Sequence, residues 1–108
     1  MAKKQTPHSN LKQAVTQYLE LRGFIVCNFF AGGARDRNGK YFPRKNTKGI
    51  SDILACSPDG KFVAVELKCG KDILKPEQEM FLQNVNSKNG IGLVIRNIDE
   101  IMEVFDKR

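Results

Sequence analysis

The stretch that decides the fold runs from Gly49 to Lys68 and reads GISDILACSPDGKFVAVELK. Its two apolar segments, residues 51–56 and 61–68, predict two strands. The four residues SPDG at 57–60 predict a tight turn between them, because proline presets φ and glycine accepts a positive φ. A connection this short makes the two strands an antiparallel hairpin.

Two carboxylates and a lysine come together at the open end of this predicted hairpin. Asp52 begins the first strand, whereas Glu66 and Lys68 close the second. Side chains alternate along a strand, so Glu66 and Lys68 share one face. Antiparallel pairing places the start of one strand beside the end of the other. We therefore expect Asp52 and Glu66 to lie close together, with Lys68 beside them.

Such a trio suits the hydrolysis of a phosphodiester. Two neighbouring carboxylates repel each other unless a positive charge lies between them, and Mg²⁺ prefers one or two carboxylates together with waters and phosphate oxygens. A bound ion of this kind polarises the phosphodiester, while a lysine orients the attacking water and stabilises the developing charge. The alternative stays open at this point: Glu66 and Lys68 as an ordinary surface ion pair, and Asp52 as a turn residue.

The flanking sequence predicts one α/β domain over residues 9–108, after a flexible tail over residues 1–8. Ser9 or Asn10 is expected to cap the first helix. The other predicted elements are a helix over 9–22, a strand over 24–30, a long loop or loosely paired hairpin over 31–49, a helix over 76–89, a strand over 91–96 and a helix over 99–107. The resulting order is α-β-β-β-α-β-α.

Positive charge is concentrated in the first half of the chain. The formal net charge is +6, of which residues 1–51 carry +8 and residues 52–108 carry −2. The densest basic cluster lies directly before Asp52 and consists of Arg35, Arg37, Lys40, Arg44, Lys45 and Lys48. Cations interleaved with aromatic residues and glycine suit a nucleic-acid backbone. We expect this cluster to bind nucleic acid; a solvated loop that keeps the protein soluble is the alternative.

Composition removes several other classes of protein. The chain has 108 residues, which is enough for one compact domain. Three cysteines without a C-x-x-C spacing argue against a disulfide framework and a zinc finger. The lone histidine, His8, cannot form a two-histidine metal site and is expected to be a solvated tail residue. No apolar run approaches the roughly 18 residues that span a bilayer, so we expect no membrane partner. The cysteine usage and an N-terminal sequence without an apolar signal-peptide region favour a reduced, intracellular, cytoplasmic location.

Taken together, the motifs resemble the VRR-NUC domains of the PD-(D/E)xK nuclease superfamily. The segments that carry the resemblance are GISD at 49–52, VELK at 65–68, KPEQ at 75–78 with Phe81 behind it, and GIGLVIR at 90–96. The resemblance extends over most of the chain, from residue 9 to residue 105. It implies a restriction-endonuclease-like core in which a mixed central sheet is flanked by helices.

The resemblance also implies a role for each matching residue. The implied site consists of the metal ligands Asp52 and Glu66, the backbone carbonyl of Leu67 as a third ligand, the catalytic lysine Lys68 and the helix glutamine Gln78. The implied metal is Mg²⁺ or Mn²⁺. Many family members carry a further glutamate in the first helix, and Gln13 and Glu20 are the candidates for that position here.

The function that the resemblance implies is metal-dependent cleavage of DNA. Small stand-alone members of the family look like homodimeric, structure-specific endonucleases similar to Holliday junction resolvases, and they often come from phages. The resemblance therefore implies cleavage of branched DNA in a phage or its bacterial host cell. A homodimer also fits the chemistry, because one small domain has one active site and a junction needs two nicks. Two alternatives are a non-catalytic nucleic-acid-binding module on the same fold and a restriction-type nuclease.

Overall fold

Residues 6–27, 34–42 and 49–107 are described by a computed structural model of the chain. They form three helices, a four-stranded sheet and a separate two-stranded ribbon. In chain order the elements are α1 (Pro7–Leu21), β1 (Ile25–Cys27), β2 (Ala34–Arg35), β3 (Tyr41–Phe42), β4 (Ile53–Cys56), β5 (Phe62–Leu67), α2 (Pro76–Ser87), β6 (Ile91–Ile95) and α3 (Ile98–Asp106).

The predicted hairpin forms the centre of the sheet. β4 pairs antiparallel with β5, so that Ile53 lies opposite Val65 and Cys56 lies opposite Phe62, around the turn at residues 57–60. β1 extends the sheet antiparallel on the β4 side, and β6 extends it parallel on the β5 side. The strand order is therefore β1-β4-β5-β6, and the sheet is mixed, as predicted.

The alternation of side chains along β5 separates two cores. Val63, Val65 and Leu67 are at most 1% exposed and belong to the larger core, to which α1 and α3 contribute. Ala64 packs instead with the apolar residues of α2. Because neighbouring side chains point to opposite faces, Glu66 shares the face of Ala64. The helix α2 therefore covers the face of the sheet that carries this glutamate.

The start of α1 differs from the prediction. The helix begins at Pro7, and its N-cap is Thr6 rather than either predicted residue. Thr6 Oγ1 accepts a hydrogen bond from the Ser9 N–H at 3.1 Å, and Ser9 Oγ accepts one from the Thr6 N–H at 3.0 Å. This reciprocal capping box fixes the first turn. His8 consequently lies inside the helix, so the predicted tail boundary at residue 8 is corrected; residues 1–5 lie outside the described part.

A short ribbon occupies part of the predicted loop or hairpin over residues 31–49. β2 and β3 pair antiparallel, with Arg35 opposite Tyr41. These two strands are additional to the element order predicted from the sequence. Residues 28–33, which include the predicted end of the first strand, and residues 43–48 lie outside the described part of the chain.

Two glycines allow α2 to approach the sheet closely. A Cβ atom on Gly92 of β6 would lie 2.8 Å from the Leu82 carbonyl oxygen of α2. At Gly49, where φ is +81°, a Cβ atom would lie 2.1 Å from the Glu77 carbonyl oxygen in the first turn of α2. Glycine is needed at residue 49 for both reasons, since a side chain there is strained and would collide with backbone. The segment that leads into Asp52 is thus held against the start of α2.

Candidate active site

The open end of the β4–β5 hairpin brings Asp52 and Glu66 together. The terminal backbone pair joins Ile53 to Val65, so the next position along the ladder holds the two acidic residues side by side. Asp52 Oδ2 accepts a hydrogen bond from the Leu67 N–H at 2.8 Å. This bond holds the aspartate against the end of β5. The other carboxylate oxygen, Oδ1, takes no part in it.

The Glu66 carboxylate is buried and incompletely satisfied. Its side chain is 3% exposed; Oε1 lies 3.5 Å from Lys68 Nζ and accepts a hydrogen bond from Gln78 Nε2 at 3.0 Å. The other oxygen, Oε2, is buried without a hydrogen-bond partner. The pKa of Glu66 is raised from its ordinary 4.5 to about 7. The largest cause is burial, followed by the negative charge of Asp52 and the hydrogen bond that a protonated Glu66 can donate to Asp52. The site therefore carries more negative charge than its surroundings stabilise.

Lys68 and Gln78 hold the glutamate from two directions. Lys68 follows β5 directly, its N–H donates to the Ile95 carbonyl of β6 at 3.1 Å, and its side chain is only 10% exposed. The Gln78 side chain is oriented by α2, because its Oε1 accepts a hydrogen bond from the Lys75 N–H at 2.9 Å. This bond directs the Gln78 amide nitrogen to Glu66. The roles of Lys68 and Gln78 in catalysis stay predictions. The structure places both side chains against the same oxygen of Glu66.

The helix α1 adds a side chain that was not predicted for the site. His8 Nε2 lies 3.6 Å from Asp52 Oδ1, and the imidazole is 43% exposed. The sequence prediction of a solvated tail residue is wrong because it started the helix at residue 9. The signal was present in Thr6-Pro7-His8-Ser9, where two hydroxyl residues three apart and a proline at the first helical position are typical of a helix start.

Gln13 and Glu20 were the candidates from the first helix for an additional metal ligand, and neither lies near His8 on the helix. Gln13 and Glu20 are both exposed. In an α-helix Gln13 lies about 140° around the axis from His8, and Glu20 lies about 18 Å further along it. The helix α1 therefore approaches Asp52 through its first turn, and His8 is the residue it presents there.

The two carboxylates fit a hydrated divalent cation. Within residues 6–27, 34–42 and 49–107, no three His, Cys, Asp or Glu side chains gather closely enough to hold a metal by themselves. Mg²⁺ does not need such a cluster, since one or two carboxylates with waters and substrate phosphates are its usual ligands. The unpartnered Glu66 Oε2 beside the charge of Asp52 is the feature that a cation would relieve. The third predicted ligand is the backbone carbonyl of Leu67. The contact that the structure shows is made by the N–H of the same residue, which donates to Asp52.

Only part of the predicted basic cluster falls within the described residues. Arg35 belongs to β2, and Arg37 and Lys40 are exposed in the turn that follows it. The remaining members of the cluster, outside the described residues, are Arg44, Lys45 and Lys48. Their role in binding nucleic acid stays a prediction. In the described part of the chain, none of the helices has the length and apolar character required to cross a membrane.

Fold and site together define an α/β domain whose sheet ends in two carboxylates and a buried lysine. The sequence profile of the VRR-NUC domain family matches residues 9–96. The chain therefore belongs to the VRR-NUC domain family, which confirms the resemblance found in the sequence and indicates a nuclease-type function with DNA as the implied substrate.

Structural comparison agrees with this assignment. A solved structure described as a VRR_NUC domain is similar to the chain with a TM-score of 0.68 and 16% sequence identity. The similarity covers 94% of this chain and 97% of that one, so the two share their fold over almost their full lengths. The comparison with curated proteins gives no match.

Proposed function

We propose that the chain is a Mg²⁺- or Mn²⁺-dependent DNA endonuclease with a PD-(D/E)xK active site. The observation that carries the proposal is the buried Glu66 Oε2, which lacks a hydrogen-bond partner although the carboxylate stands beside Asp52. A buried, unsatisfied carboxylate next to a second acid costs stability, and such groups are typical of sites that bind a charged ligand. Membership of a nuclease domain family, in which divalent ions are in general use, supports the same reading.

Asp52 and Glu66 would hold the ion, together with the Leu67 carbonyl. When bound, the ion polarises the phosphodiester and makes a coordinated water more acidic. Asp52 would bind the ion through Oδ1, because Oδ2 accepts the hydrogen bond of the Leu67 N–H. Glu66 is kept in place by the amide of Gln78, which acts as a positioning residue.

Lys68 supplies the positive charge of the chain itself. Its ammonium group lies 3.5 Å from Glu66 Oε1 and is largely shielded from bulk water. From there it can orient the attacking water and stabilise the negative charge that develops on the phosphate oxygens as water adds to phosphorus. One P–O ester bond breaks, so the products are a phosphate end and a hydroxyl end.

We further propose that the substrate is branched DNA and that two copies of the chain act together, as in Holliday junction resolvases. One domain of this size carries one site, whereas resolution of a four-way junction requires two cuts. The exposed Arg37 and Lys40, with the rest of the basic cluster, would neutralise phosphates of the bound strand. The setting would be the cytoplasm of a bacterial host cell, with the chain encoded by a phage or by the host.

A substrate panel tests this function. Labelled four-way junction, flap, splayed and linear DNA are incubated with wild type, Asp52→Asn and the control Asp99→Asn, with Mg²⁺, with Mn²⁺ or with EDTA. We expect wild type and Asp99→Asn to cut the junction with either metal ion, and Asp52→Asn to leave it intact. Asp99 is a matched control because it is an exposed aspartate in the first turn of α3.

The panel also separates the competing functions. Cleavage of linear duplex at fixed positions would indicate a restriction-type nuclease. Salt-sensitive DNA binding without cleavage under any metal condition would indicate a non-catalytic module. Equal cleavage by wild type and Asp52→Asn would show that the chemistry occurs elsewhere.

A further inference from the structure

An isoleucine is displayed to solvent beside the proposed active site. Ile73 lies in the loop over residues 69–75, between Lys68 and α2, and it is 82% exposed. We propose that Ile73 is a wedge that inserts beside a base at the branch point of bound DNA and gives the chain a preference for branched substrates. The inference rests on the proposed function, because it assigns the residue that would recognise the substrate of the same site.

Both ends of this loop are attached to residues of the proposed site. The loop directly follows Lys68, whose ammonium group lies 3.5 Å from Glu66 Oε1. At its other end the Lys75 N–H donates to Gln78 Oε1 at 2.9 Å, and the amide nitrogen of the same glutamine donates to Glu66. Ile73 is two residues from Lys75, so their Cα atoms are at most about 7 Å apart. Ile73 is therefore within reach of DNA whose phosphate is bound at the carboxylates.

The middle of the loop is held by Arg96, which follows β6. Its guanidinium group donates to the Asp72 carbonyl oxygen at 2.9 Å and to the Gly70 carbonyl oxygen at 3.4 Å. On the other side of Ile73, Leu74 is partly buried and packs against the core beneath α2. The backbone is thus fixed before and after the exposed side chain, so little conformational entropy is lost when Ile73 contacts a ligand.

The charges around Ile73 suit a nucleic acid. Lys71 and Lys75 flank it along the chain, and both are exposed. Asp72 is the one acidic residue of the loop, which keeps a net charge of +1. The two ammonium groups can neutralise phosphates on either side of the inserted side chain. Isoleucine is one of the apolar residues that proteins insert between bases to unstack them.

A wedge at this place distinguishes branched from linear DNA through the cost of unstacking. Bases next to a branch have lost part of the stacking that a continuous duplex provides, so separating them costs less than separating bases within a duplex. The contact that the isoleucine gains with a base is the same in both substrates. The smaller cost at the branch therefore appears as tighter binding of branched DNA, without any reading of the base sequence.

The fluorescence of 2-aminopurine tests the wedge without requiring cleavage. This base is placed in turn at each position next to the branch of a four-way junction, and the junction is saturated in EDTA with wild type, Ile73→Ser, Ile73→Leu or Leu21→Ser. At one or more of these positions the fluorescence should rise about threefold with wild type, Ile73→Leu and Leu21→Ser, and by less than about a fifth with Ile73→Ser. Leu21 is the matched control because it is an 88% exposed aliphatic residue, about 20 Å along α1 from the His8 that lies near Asp52.

The affinity for DNA adds a second readout. Fluorescence anisotropy in EDTA compares the junction with linear duplex, and the ratio of the two affinities should fall about tenfold in Ile73→Ser and stay within about twofold of wild type in Leu21→Ser. Ile73→Ser removes an exposed side chain, so the variant should fold as wild type does, which circular dichroism verifies.

The wedge and the proposed function fail in different ways. If saturating wild type leaves the fluorescence unchanged at every position, or if Ile73→Ser raises it as wild type does, the wedge is refuted even where wild type cuts the junction. If wild type unstacks a base and Ile73→Ser does not, but wild type cuts no substrate with Mg²⁺ or Mn²⁺, the wedge stands and the nuclease assignment is wrong.

Discussion

Replacing Glu66 by glutamine is expected to stabilise the metal-free protein while abolishing its cleavage of DNA. Burial and the neighbouring Asp52 raise the pKa of Glu66 from 4.5 to about 7, so the folded state binds this proton more tightly than the unfolded chain does. At low pH the protonated Glu66 therefore favours the folded state, and its contribution to the free energy of unfolding is lost as pH rises from 4.5 to 7. Above pH 7 the ionised carboxylate lowers the free energy of unfolding by about 3 kcal/mol, at about 1.4 kcal/mol per pKa unit.

A glutamine at this position keeps the shape and the contacts of the protonated acid. Its carbonyl oxygen can accept the hydrogen bond of Gln78 Nε2 and lie beside Lys68, while its amide nitrogen can donate to Asp52. The substitution therefore removes the buried negative charge without leaving a cavity. Urea unfolding in EDTA should show Glu66→Gln more stable than wild type by about 3 kcal/mol at pH 8 and by about 1 kcal/mol at pH 5.

Two comparisons complete this experiment. Glu79→Gln, at an exposed position of the same helix that carries Gln78, should change the free energy of unfolding by less than about 0.5 kcal/mol at either pH. Saturating Mn²⁺ should stabilise wild type but not Glu66→Gln, because the variant lacks the ligand. A variant that is less stable than wild type at pH 8, or a difference that does not depend on pH, would refute the reasoning.

Three further changes probe the surroundings of the site. Gly49→Ala should lower the free energy of unfolding by about 2 kcal/mol or more and reduce cleavage, because its Cβ would lie 2.1 Å from the Glu77 carbonyl oxygen; urea unfolding and a cleavage assay measure both effects. Lys68→Met should abolish strand cleavage while DNA affinity, followed by fluorescence anisotropy, changes by less than about threefold, since one buried ammonium contributes little to a basic surface. Tyr18→Phe removes a 2.6 Å hydrogen bond from Tyr18 Oη to Asp106 Oδ1 and should cost about 1 kcal/mol in thermal unfolding, with cleavage unchanged at 25 °C.

The elements that the sequence predicted well are those with strong local signals. The SPDG turn at 57–60 dictates a hairpin, and the hairpin alone is sufficient to bring Asp52 and Glu66 together. Pro76 is the first residue of α2, in agreement with the predicted start of that helix, and Asn97 caps α3 through its own side chain. In each case the information lies within a few residues, so no knowledge of distant packing is required.

The features that were missed depend on contacts between distant parts of the chain. The approach of His8 to Asp52 joins residues 44 positions apart in the sequence, and helical periodicity says nothing about such a contact. The close packing of Gly49 on Glu77 and the unsatisfied oxygen of Glu66 likewise follow from how α2 docks on the sheet. The start of α1 was a different kind of error, because its signal is local: Thr6 and Pro7 mark the helix start, whereas the prediction began the helix at residue 9.

The most direct test of the proposed active site is the single-turnover rate at which wild type and Asp52→Asn cut a labelled four-way junction. Both proteins are used in excess over DNA with saturating Mn²⁺, and bound DNA is measured in parallel so that binding and chemistry are separated. If Asp52 holds the catalytic ion, Asp52→Asn binds the junction as wild type does but cuts it about a thousandfold more slowly. Cleavage by the variant at a rate within a factor of about three of wild type would contradict this assignment.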